Sequence, residues 1–123
     1  MRGVIIGMAS ILLAAPSVGQ VMPGPFDHHN QIVCADQDSA VALTAAYEDK
    51  PDQAEELLAR LAKHGLCERA VFSGKPSADV YGSKTQDRRR DLHVFEVEVT
   101  KGLVLKGKTK VFMLLHIFHD NEV

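Results

Sequence analysis

Cys34 and Cys67 are the only cysteines of the 123-residue chain, and the segment between them has the periodicity of two short helices. A thiol pair of this kind is a disulfide, a metal clamp or part of a redox site, and the compartment decides which reading comes first. The chain opens MRGVIIGMASILLAAPSVGQ, with a positive charge at Arg2 and an apolar run from Val4 to Ala15 that Pro16 ends. That is the form of a secretory signal peptide, because the run is shorter than the roughly 20 residues a spanning helix needs. The small residues Ser17 and Gly19 follow, and cleavage is expected after Gly19, with Ser17 the other candidate. An uncleaved membrane anchor is the alternative. Export to the periplasm or beyond makes an intramolecular Cys34–Cys67 disulfide the expected state. The spacing is unlike the short Cys-x-x-Cys of structural zinc sites. A catalytic thiol would need a base such as His64 or His93 brought to it by the fold.

The segment between the cysteines shows what a bridge would do there. Asp36 or Asp38 is placed to cap a first helix, in which Ala40, Leu43, Thr44 and Tyr47 fall on one face. Pro51 suits the first position of a second helix, with Asp52, Glu55 and Glu56 near its positive end and Lys63 and His64 near its negative end. Ala54, Leu57, Leu58 and Leu61 form its apolar stripe. Gly65 is expected to end it, with Leu66 packing back on the last turn. Neither helix is stable alone. A bridge closing the hairpin is worth about 3.5 to 4 kcal/mol by the chain-entropy estimate.

After Cys67 the period changes to two. Residues 68–73 and 78–82 read as short strands separated by the turn-forming Gly74-Lys75-Pro76-Ser77. Leu92 to Thr100 is a strand with His93, Phe95, Val97 and Val99 on its core face and Leu92, Val94, Glu96 and Glu98 on the other. A short strand at Leu103 to Leu105 is expected between glycine-lysine turns. Lys110 to Phe118 is apolar on both faces, which implies a central strand or one covered by the hairpin. The expected fold is therefore α+β: a disulfide-closed helical hairpin packed on a four- or five-stranded antiparallel sheet or partial barrel. Residues 1–19 are the signal peptide, 20–33 an N-terminal arm, 34–118 a single domain and 119–123 a tail. A cysteine, two short helices, Gly65-Leu66-Cys67 and a β-rich remainder resemble a layout found among small exported bacterial proteins of uncharacterised function. The resemblance spans about residues 34 to 115 and implies a fold and a compartment, with no site carried over.

Chemistry-bearing motifs are sparse. There is no Gly-x-Ser-x-Gly, no phosphate-cradling glycine loop, no dinucleotide fingerprint and no His-Glu-x-x-His. Glu96 and Glu98 alternate with valines, as on the wet side of a sheet. A minor reading makes them or a histidine the base of a hydrolase. His116, His119 and Asp120, with Asp27, His28 and His29, offer metal-ligand types on two terminal segments, yet positions three apart on a strand face opposite ways. The formal charge of −2 argues against nucleic acid or an anionic membrane as a general partner. Lys84, Arg88, Arg89 and Arg90 concentrate positive charge in one loop and are the candidate partner-binding residues. No catalytic residue, metal ligand or cofactor is assigned. The expected function is a small exported, periplasmic or secreted, non-catalytic binding protein, such as an inhibitor, immunity or accessory factor acting on an envelope or extracellular protein, without stable membrane insertion after signal cleavage. A histidine-based periplasmic metal-binding protein is the alternative.

Overall fold

The structure, a computed structural model, describes residues 22–84 and 90–118. Strand β1 (Phe26–Cys34) is followed by helices α1 (Gln37–Asp49) and α2 (Pro51–Lys63), then β2 (Cys67–Lys84), β3 (Arg90–Lys101) and β4 (Lys110–Phe118). All pairings are antiparallel, and the order β1-β2-β3-β4 closes back on β1 as a barrel. The helical hairpin packs on its outside. No described helix is long and apolar enough to cross a membrane.

The hairpin forms for the reasons its sequence implies. Asp36 is the N-cap of α1: its Oδ2 accepts from the Ser39 amide at 3.0 Å and its Oδ1 from the Ser39 hydroxyl at 2.8 Å. Ala40, Leu43, Thr44 and Tyr47 are its buried face, and the Thr44 hydroxyl donates to the Ala40 carbonyl at 2.8 Å. Lys50 caps α1 and leads into α2, where Pro51 takes a position whose N–H has no helical acceptor. At the far end Gly65 has φ +73°, and the amides of Gly65 and Leu66 donate to Ala62 and Leu61. This is a Schellman stop, which calls for glycine at the left-handed residue. The Leu66 side chain, expected to pack back on the last turn, is 37% exposed.

Cys34 and Cys67 are directly opposite on β1 and β2, both buried, and form the disulfide. The bridge therefore joins the two points at which the hairpin leaves and rejoins the sheet.

Three strand expectations are corrected. Residues 26–33, read as arm, are β1, a strand whose first half is polar and exposed and carries an irregularity between Phe26 and His29. The turn expected at Gly74–Ser77 is absent, and β2 runs unbroken through it as an 18-residue strand. Its first half pairs with β1 and its second with β3, with register shifts at Ser73/Gly74, Pro76/Ala78 and Asp79/Tyr81. The residues that signal a turn instead bend the strand around the barrel corner. Gly74 is required there, since a Cβ would lie 2.7 Å from Val97 Cγ1 and 3.1 Å from the Glu98 carbonyl oxygen. Residues 103–105 form no strand. Val104 and Leu105 turn inward and plug the barrel end.

Strand alternation sorts side chains into two cores. Val33, Phe72, Phe95, Val97, Val111 and Met113 fill the barrel with Val104 and Leu105. Cys34, Cys67, Leu92, Val94 and Leu114 point outward and are covered by Ala40, Leu43, Tyr47, Ala54 and Leu58 of the helices. β3 and β4 are thus apolar on both faces where the hairpin lies over them.

Candidate functional site at the open seam

The barrel wall is not evenly closed. β1 and β4 pair only from Ile32 to Cys34 against Leu114 to Phe112. Beyond Ile32 and Leu114 the strands part, so that among the described residues Phe26–Gln31 pairs only with β2 and Leu115–Phe118 only with β3. The parting leaves an open cleft of about 310 Å³ lined by Asn30, Gln31, Ile32, Arg69, Leu114, Leu115 and His116. Its two edges differ. The β1 edge carries the irregularity and a left-handed residue, His28 at φ +52°, devices that blunt a strand against further pairing. The β4 edge, Leu115-His116-Ile117-Phe118, is straight in register with β3 and holds no proline, lysine or bulge.

Arg69, in the lining of the cleft, belongs to a polar cluster that ties the hairpin to the barrel. The Tyr47 hydroxyl donates to Glu55 Oε2 at 2.7 Å, and Arg69 Nη2 donates to Glu55 Oε1 and Oε2 at 3.1 and 2.9 Å. The Arg69 and Tyr47 hydrogen bonds hold the Glu55 carboxyl below the usual carboxylate range. Burial and the carboxylate push the Tyr47 phenol up to about 12, so it remains a donor at neutral pH. Arg69 also borders a second cleft, of about 270 Å³, with Glu55, Leu58, Ala59, Ala62 and Glu68. The Arg69–Glu55 pair is a ridge between the two. Against it stands His116, edge-on to the Tyr47 ring at 5.3 Å. Its Nε2 is buried without a hydrogen-bond partner. Burial, then the Arg90 charge, lowers its pKa, which favours the neutral imidazole.

Other candidates have structural duties. Asp27, His28 and Ser73 meet, but the Ser73 hydroxyl donates to Asp27 Oδ1 at 2.5 Å and accepts from the His28 amide at 3.1 Å. The hydroxyl is therefore spent on pinning the β1 irregularity, and its acceptor is a carboxylate of lowered pKa rather than an imidazole. His29 stacks on Phe26, and His64 Nδ1 lies 2.9 Å from the Arg60 carbonyl oxygen. Glu96 accepts from Ser77 and lies 3.6 Å from Lys110 Nζ, while Glu98 is exposed. Among the described residues no three His, Cys, Asp or Glu side chains gather as a metal-ligand set. His119 and Asp120 lie outside the described residues, as do Arg88 and Arg89. Lys84 ends β2, and Arg90 opens β3 opposite Phe118, half-buried.

Sequence reasoning missed the Tyr47–Glu55–Arg69–His116 wall and a buried pair in the barrel, His93 Nδ1 at 3.1 Å from Asp79 Oδ2 with the imidazole stacked on Phe95. A tyrosine on the apolar face of α1 and a histidine on the core face of β3 were the available signals, since buried polar tips need partners. The partners themselves come from other elements. Neither a family model, a curated protein nor a solved structure matches the chain.

Proposed function

We propose that this chain is an exported, non-catalytic binding protein of the periplasm or extracellular space, and that an extended segment of a partner protein adds to the β4 edge at the open seam. The observation that carries the reading is the Leu115–Phe118 edge, which faces a cleft and pairs, among the described residues, on its β3 side alone. Strand addition supplies affinity through main-chain hydrogen bonds and specificity through alternate side chains. Ile32, Leu114 and Leu115 offer apolar contact there, and Asn30 and Gln31 offer polar contact. Arg90 lies opposite Phe118 at the same end and adds positive potential there for an acidic partner.

The test is affinity capture from the native envelope with cross-link mapping. His116→Lys, which sets a charge on the cleft wall, should weaken capture at least about tenfold, the cost of desolvating an unmatched charge. Arg88→Glu and Arg89→Glu together should slow association while leaving stability within about 0.5 kcal/mol of wild type. Capture untouched by either change, with cross-links away from both regions, would remove the seam as the binding site.

A further inference from the structure

The turn between β3 and β4 carries charge and apolar surface that the fold does not use. Lys101, Lys106, Lys108 and Lys110 lie on it or at its ends, and Lys75 faces Glu98 on the adjoining strand pair. All five are exposed. Lys110 is engaged by Glu96, and Lys101 acts on Asp27. Among the described residues, Lys75, Lys106 and Lys108 make no ion pair. At the centre is Leu103, 78% exposed.

The turn is held in this shape from within. Val104 and Leu105 are buried in the barrel end, the Leu105 amide donates to Glu68 Oε2 at 3.0 Å, and the Gly107 and Lys108 amides donate to the Val104 carbonyl at 2.9 Å. Leu105 and Lys106 keep left-handed φ values of 48° and 62°, a conformation that persists only where the surroundings enforce it. Leu103 is therefore displayed by a rigid frame, its Cδ1 beside Gly107 between the two turn lysines.

The chain enters the described structure at this same end, since Phe26 pairs with Gly74 and packs edge-on against Phe72, which Gly102 of the turn adjoins. The apolar run Val4–Ala15 lies upstream of it.

We propose that the β3–β4 turn is a peripheral membrane contact: Lys75, Lys106 and Lys108 rest on anionic lipid headgroups while Leu103 enters the acyl boundary. An apolar tip ringed by cations matches the layered chemistry of such a surface. The slightly negative whole-chain charge is no obstacle, because adsorption responds to the local field within a Debye length. The contact is weak and reversible, and it leaves the Leu115–Phe118 edge, at the end of β4 away from the turn, free.

The test compares exported wild-type protein and variants by co-sedimentation with phosphatidylglycerol–phosphatidylcholine vesicles and with pure phosphatidylcholine vesicles. Wild type should sediment with the anionic vesicles alone and be released by added salt. Lys106→Glu with Lys108→Glu should lower partitioning by at least about 25-fold, at about fivefold for each lysine charge lost, and Leu103→Asp by about tenfold. Each variant is checked for the disulfide and an unchanged thermal midpoint. If the lysine variant does not fold, Lys75→Glu with Leu103→Asp is read in its place. Equal binding of wild type and variants to anionic vesicles, equal binding to neutral vesicles, or retention on heparin without vesicle binding would each overturn the proposal, the last in favour of an acidic macromolecule.

Discussion

The two apolar layers of this molecule are built from different materials. Inside the barrel, Phe72, Phe95, Val97, Val111 and Met113 are large side chains delivered by strand alternation and sealed by Val104 and Leu105. Under the helices the contacts from α1 and α2 include the small residues Ala40 and Ala54, with Leu43, Tyr47 and Leu58, and the layer is tied at its base by Cys34–Cys67. The inner layer gains its stability from volume buried and from a hydrogen-bonded wall. The outer layer has a modest apolar area for two short helices, and it draws on a covalent tie and the polar Tyr47–Glu55–Arg69 link. The difference teaches that the barrel is the scaffold and the hairpin an attachment, and it says where each is vulnerable.

The strongest challenge to that distinction is a cavity in the inner layer. Phe95→Ala should cost about 3 to 5 kcal/mol, a large part of a total near 5 to 15 kcal/mol. Urea unfolding with the disulfide intact should show one cooperative shift. A cost below about 1 kcal/mol would mean the barrel interior is not the principal core.

Removing the tie comes next. Cys34→Ala with Cys67→Ala should cost about 2 to 5 kcal/mol, and hydrogen exchange should accelerate more in α1 and α2 than in β3. Equal acceleration of β3 amides would merge the two layers into a single cooperative unit and break the comparison.

The smallest effect separates the layers by pH. The His116 imidazole has its pKa lowered by burial, so the unfolded chain takes up its proton first, and stability falls as pH drops below about 6.5. The Glu55 carboxyl is likewise held low, so its contribution is present above its unfolded value near 4.5 and is lost as pH falls through the folded one. The Glu55 and Arg69 side chains are 54% and 50% exposed, which keeps that contribution small. His116→Phe should flatten the slope between about pH 7 and pH 5 in thermal midpoints. An unchanged slope would assign it to other groups.

Much of the outer layer was legible in residue order. Asp36, Pro51 and Gly65 mark helix ends through local backbone chemistry, and the faces Ala40-Leu43-Thr44-Tyr47 and Ala54-Leu58 follow from a period of 3.6. The Cys34–Cys67 bridge followed from there being one pair. β3 and β4 were visible because apolar alternation is strong in each. β1 was not, since Phe26–Asn30 is nearly all polar and exposed and owes its extension to β2. Gly74 to Ser77 carry turn-forming types that the barrel corner uses as bends within one strand. The cleft was invisible for the same kind of reason, as its residues come from β1, β2 and β4.

By itself, then, the sequence determined what depends on neighbours along the chain: helix starts and stops, the buried faces, the alternating strands and the pair of thiols. Only the tertiary structure decided which strand lies beside which, that the sheet closes, and that closure fails past Ile32 and Leu114. Strand pairing joins residues distant in sequence through backbone groups that every residue shares, so side-chain order carries little record of it. The open seam and the placement of Tyr47, Glu55, Arg69 and His116 beside it arise from that non-local pairing.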